Sequence, residues 1–101
     1  MKELQEEITQ WGQDTFDNPS VLALGIRGNK EMAELISALH NEQDTYADIA
    51  EECADVAFFL LQICGIFGFD LEQEIKKKFE INKARSWNKT KDGSFQHNEE
   101  A

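Results

Sequence analysis

This chain of 101 residues has one proline, two cysteines and half as many basic residues as acidic ones, ten against twenty. The formal net charge of −10 argues against non-specific binding to nucleic acid or to an anionic membrane, because both are polyanions. It leaves phosphorylated small molecules open, since a divalent ion reverses the local sign. No run of alternating β-branched residues marks a strand. The apolar stretch after Cys53 falls short of the 18 or so residues that a membrane span needs, and it carries an acid. MKELQEEITQW has neither a basic n-region nor an apolar h-region, so no signal peptide is expected and a cytoplasmic setting is. Cys53 and Cys64 fall on one helix, roughly 16 Å apart, too far to bridge. They are expected to be small buried hydrophobes under reducing conditions.

What is present repeats with helical spacing, and one all-α domain is expected. The first helix covers about 2–16, with Leu4, Ile8, Trp11 and Thr15 as its apolar stripe and Asp17-Asn18-Pro19 as its stop. The second runs from about Ser20 to His40, the third over 46–66 behind a cap at Asp44 or Thr45, and the fourth over 71–86. Gly65 and Gly68 mark the end of the third helix. Asp70, with Gln73 three residues on, is expected to cap the fourth. Its apolar stripe reads Leu71, Ile75, Phe79 and Ile81. The domain is placed at 1–88. Residues 89–101 read as a polar, mobile tail with an Asp92-Gly93 turn, and a docked segment is allowed around Trp87 or Phe95.

The third helix is apolar nearly all round from Val56 to Phe67, and three short neighbours cover it poorly. A second copy of the chain is therefore expected against it, as a dimer or tetramer. Only Asp55 and Gln62 break the apolar run. A buried carboxylate costs several kcal/mol, roughly, unless something pairs with it.

Glu31 and Glu34 are three apart, as are Glu52 and Asp55, with 17 residues between the pairs. Each pair shares a face of its helix, and Asp48 lies one turn before Glu52 on the same side. A short loop makes the two helices antiparallel neighbours, so the pairs can converge. Carboxylates without histidine suit hard cations, Mg²⁺ first and Mn²⁺ second. No histidine follows these glutamates at the Glu-x-x-His spacing of helical di-iron sites. Spacing alone leaves a metal site and a solvated acidic face both open. On the fourth helix Lys78, Asn82 and Arg85 fall along one line, which suits phosphate or an ordinary surface equally.

In this order, the motifs resemble the MazG-type nucleoside triphosphate pyrophosphohydrolases of the all-α NTP pyrophosphatase superfamily. The carriers are Glu31-Met-Ala-Glu34, then Glu52-Cys-Ala-Asp55, then Lys78-Phe-Glu-Ile-Asn82-Lys-Ala-Arg85. EITQWGQDTF in the first helix is also similar to small single-domain members. The family's acidic motifs are separated by a dozen to nearly thirty residues. The resemblance implies a four-helix bundle that assembles as a dimer or tetramer. It implies Mg²⁺-dependent hydrolysis of a nucleoside or deoxynucleoside triphosphate to the monophosphate and pyrophosphate. Glu31, Glu34, Glu52 and Asp55 would be catalytic metal ligands, and Lys78, Asn82 and Arg85 would hold phosphates. The second glutamate that many members carry before the first motif is Lys30 here, and Glu51 is not assigned as a ligand. Trp11, Phe16 and Trp87 are the rings available to a base. Rival readings are phosphoribosyl-ATP pyrophosphohydrolysis and a non-catalytic helical module that binds a nucleotide or only its own copy. An exposed Asp55 would favour the last.

Overall fold

The computed structural model describes residues 1–85 and the backbone of 87–89 and 95–97. The chain divides into two compact units, Met1–Leu71 and Glu72–Ala101.

The first unit holds α1 (Lys2–Thr15), α2 (Val21–His40) and α3 (Tyr46–Phe67). Each boundary has a local cause. Asp17 and Asn18 both take positive φ, 57° and 53°, a region that short polar side chains tolerate, and Pro19 prevents α1 from resuming. The Ser20 hydroxyl accepts from the Ala23 N–H and starts α2. Thr45, not Asp44, caps α3. Its hydroxyl accepts from the Asp48 N–H, while the Asp48 carboxylate accepts from the Thr45 N–H at 2.9 Å. This reciprocal bond holds the Asp48 carboxyl below its usual range. Asp48 is thereby committed to the helix end. Gly68, at φ 80°, closes α3 in the left-handed conformation.

α2 and α3, joined by residues 41–45, pack lengthwise and antiparallel. Gly28 lies against Phe59 where a Cβ would come within 3.2 Å of that side chain, and farther along α2 Glu31 meets Asp55 and Glu52. α1 packs on α3 by a face different from the expected stripe. Leu4 and Trp11 are about half exposed, while Gln5 and Gly12 are buried. The side-chain amide of Gln5 donates to the Phe69 carbonyl at 2.6 Å and accepts from the Leu71 N–H at 3.0 Å. Gly12 and Gly65 let the two backbones close in: a Cβ on Gly65 would overlap Thr9, and one on Gly12 would overlap the Gln62 amide. Hydrogen bonding and small residues, more than apolar spacing, select this face.

Buried apolar side chains among the described residues are few: Leu24, Leu35, Ala38 and Leu61. Cys53 is exposed and Cys64 half-buried, and neither is in a disulfide. The expected burial thus fails at Cys53, which lies on a face of α3 that the chain itself leaves open.

The second unit holds α4 (Leu71–Ala84, its first residue shared with the first unit) and a small hairpin of β1 (Trp87–Lys89) with β2 (Phe95–His97). The strands are antiparallel, with Trp87 opposite His97 and Lys89 opposite Phe95. The hairpin takes in the backbone of both residues around which a docked segment was expected, and the 88/89 boundary falls inside β1. The expected Asp92-Gly93 turn lies outside the described residues. Ile75, Phe79 and Ile81 of the expected α4 stripe remain about half exposed. Ion pairs Lys76–Glu72, Lys77–Glu74 and Lys83–Glu80 lace α4, and Lys83 sits 4.5 Å from the Phe79 ring centre. The four helices among the described residues define the class as all-α, and none of them is long and apolar enough by itself to cross a membrane.

Candidate metal centre and nucleotide pocket

Antiparallel packing of α2 on α3 brings the acidic motifs together. Glu31, Glu52 and Asp55 each place a carboxylate oxygen within 4.8 Å of the others. Opposite ligands of an octahedral ion at 2.1 Å stand about 4.2 Å apart, so small side-chain adjustments suffice to share one. Glu34 lies beside this trio rather than in it. Its carboxyl hydrogen-bonds that of Glu31, which, with desolvation and the charges of Glu34, Asp55 and Glu52, pushes Glu31 up. Glu52 is raised chiefly by desolvation, then by Glu34, Asp55, Glu51 and Asp44. One Glu52 oxygen, Oε2, is shielded from solvent and has no hydrogen-bond partner. Shielded, unpartnered carboxylate oxygen among like charges fits a hard divalent cation.

Asp55 itself is exposed. Taken alone, exposure points to the non-catalytic module. Convergence with Glu31 and Glu52 outweighs it, because an acid at the mouth of a site is reached from solvent.

A cavity of about 360 Å³ adjoins the acids, with Glu31 and Asp55 among its lining residues. Trp11, Phe16, Phe58, Arg27 and Gln62 line it as well. Trp11 meets Phe16 edge-on at 5.4 Å between ring centres and Phe58 at 5.7 Å. The volume lies within the range of about 300–1,000 Å³ usual for small-molecule sites. Trp11 and Phe16 were legible as candidate rings. Arg27, Phe58 and Gln62 carried no expected role, although a signal existed. Arg27 precedes Glu31 by one turn, and Gln62 follows Asp55 by two turns, so each shares a line with a motif acid. Trp87 is described by its backbone alone.

Lys78 and Asn82 share one line of α4, and Arg85 follows its end, its N–H donating to the Asn82 carbonyl at 3.3 Å. Lys78 is exposed and takes no part in the ion pairs of α4. These three belong to the second unit and the acids to the first.

Facing acidic motifs on antiparallel helices, with an aromatic cavity at their edge, are the arrangement that the MazG-type motifs call for. The chain belongs to the dATP/dGTP pyrophosphohydrolase family, whose model matches residues 4–100. It is 35% identical over 95 residues to a dATP/dGTP diphosphohydrolase of Salmonella phage PMBT28, covering 94% of this chain and 30% of that one. It thus spans less than a third of that relative. A dATP/dGTP diphosphohydrolase of cyanophage S-2L is 32% identical over 97 residues, covering 94% of this chain and 85% of its own. Among solved structures, the cyanophage S-2L MazG-like pyrophosphohydrolase bound to dGDP and three catalytic Mn²⁺ ions per active site aligns with a TM-score of 0.77 at 29% identity. The alignment covers 95% of this chain and 94% of that one.

Proposed function

We propose that the chain hydrolyses a purine deoxynucleoside triphosphate to the monophosphate and pyrophosphate, with Mg²⁺ as its ion and Mn²⁺ as a substitute. The observation that carries this reading is the convergence of Glu31, Glu52 and Asp55, of which Glu52 also carries a shielded, unpartnered oxygen. The names of the relatives add the purine preference.

Glu31, Glu34, Glu52 and Asp55 would hold the ion or ions. When bound, a divalent ion makes water more acidic and neutralises phosphate charge. The carboxylates fix where that charge sits, and one not engaged by metal takes a proton from the attacking water. The cavity beside them receives the base against Trp11, Phe16 and Phe58, which aims the phosphate chain at the acids. Arg27, one turn before Glu31, offers a planar fork to a phosphate. Lys78, Asn82 and Arg85 are proposed to hold the pyrophosphate portion. Apolar side chains left open on α2 and α3, among them Leu22, Ile26, Ile36 and Leu60, are proposed to be covered by a second copy.

Pyrophosphate release from a panel of NTPs and dNTPs, with Mg²⁺ and with EDTA, tests the reading, with Glu52→Gln alongside. Metal-dependent release lost in the variant is the expected result. No release from any nucleotide by the folded protein overturns it.

A further inference from the structure

Gln62 is the most deeply buried residue lining the cavity, 3% exposed. It interrupts an otherwise apolar stretch of α3, where a leucine would fill similar space. Its one hydrogen bond runs from Nε2 to the Phe58 carbonyl at 3.4 Å, too long to be a strong one. A side-chain amide has two donors and a carbonyl acceptor, so most of its capacity is unused. Neither amide atom is among the shielded, unpartnered atoms of the described residues, so that spare capacity is open to a ligand rather than sealed away. Gly12 supplies the room: any Cβ there would overlap the Gln62 carbonyl oxygen. Sequence and packing thus combine to keep an under-bonded amide against an aromatic cavity.

We propose that Gln62 is the base-reading residue of the nucleotide pocket and that its amide recognises the six-position edge of a purine. Adenine presents a donor at N6 and guanine an acceptor at O6. The neighbouring N1 has the opposite sense in each, an acceptor in adenine and a donor in guanine. An amide turned through 180° exchanges its own donor and acceptor, so one side chain serves both bases. The single long bond to Phe58 makes that rotation inexpensive. Pyrimidines present a similar edge nearer the sugar, and a base anchored by its phosphates would then leave the amide unreached. The inference rests on the nucleotide reading above and adds how one pocket accepts two purines with opposite hydrogen-bonding edges.

The test is kcat/KM for pyrophosphate release from dATP, dGTP and the purine deoxynucleoside triphosphate that lacks any substituent at C6. The intact protein is expected to favour the first two by about tenfold, the size of one unmade hydrogen bond to a buried group. Gln62→Met, close in volume, is expected to lower dATP and dGTP by about tenfold more than the third, which has only its N1 contact to lose, so the three converge. A parallel fall on all three would show a structural role and overturn the proposal. So would equal use of the three by the intact protein. Should Gln62→Met not fold, Gly12→Ala keeps the polar group but displaces the amide, and the same convergence is expected. Base-blind turnover by the intact protein sinks this inference alone, whereas no turnover of any nucleotide removes the hydrolase reading with it.

Discussion

Glu52 keeps one carboxylate oxygen from solvent without a partner while Glu34, Asp55 and Glu51 crowd it with like charge. Such a residue opposes the metal-free fold. Glu31 and Glu52 are both raised above their ordinary 4.5. Between 4.5 and the folded values, the native state binds more protons than the unfolded chain, so metal-free stability falls as pH rises through that window. Melting curves in EDTA from pH 4 to 8 should show this decline, and Glu52→Gln should flatten it. Equal slopes in the two proteins would remove the electrostatic account. The same substitution is expected to lower metal-dependent turnover at least about a hundredfold, more than the loss of an outer-shell partner usually costs.

Among the elements, α3 is delimited at both ends by its own sequence. Thr45→Ala removes the cap hydroxyl and is expected to cost about 1 kcal/mol. In a domain of this size that lowers Tm by about 4–8 °C, measurable by calorimetry. The Asp48 half of the box has the opposite pH sign to the acids of the site. Its carboxyl is lowered from 3.8, so its stabilisation is present above 3.8 and lost as pH falls through the folded value. Gly65→Ala would drive a Cβ into Thr9 and is expected to destabilise by about 1–3 kcal/mol through overpacking of α1 on α3.

The limits of these helices were legible because their signals are local: Ser20, Thr45, Pro19 and Gly68 act within one turn. The pairing of the acidic motifs was legible too, since residues 41–45 leave α2 and α3 only an antiparallel fit. The docking face of α1 was not. The selection of Gln5 and Gly12 over Leu4 and Trp11 depends on a carbonyl at Phe69 and an amide at Gln62, both far away along the chain. The cavity was illegible for the same reason, being assembled from three helices. The hairpin after α4 was hidden by polar composition, since three-residue strands are too short to show a period.

At the scale of the whole molecule, the proposed ion and the proposed second copy both bear on stability. An ion that binds only the folded state raises stability by about 2.7 kcal/mol at a hundred times its Kd. Millimolar Mg²⁺ or Mn²⁺ should therefore raise Tm, and no shift with either would count against the site. Leu22 and Ile26 are 72% and 63% exposed, and the buried apolar set is small. Light scattering is expected to give the mass of a dimer or tetramer, and Ile26→Lys to reduce it. A monomeric mass for the intact protein would contradict a self-association surface here.

The antiparallel contact of α2 with α3 also separates what is free to change from what is not. Each helical residue turns the chain by about 100°, so one residue inserted between Glu52 and Asp55 would swing the aspartate off the site. Residues inserted in 41–45 would leave both faces where they are, because the helices are registered by Gly28 on Phe59 and not by the connection. Loop closure grows only logarithmically with length, about 0.6 kcal/mol for each doubling. Spacing within each acidic motif is therefore rigid, while spacing between the motifs is elastic. Descendants of such a fold are free to lengthen, shorten or decorate that one connection without renegotiating their chemistry.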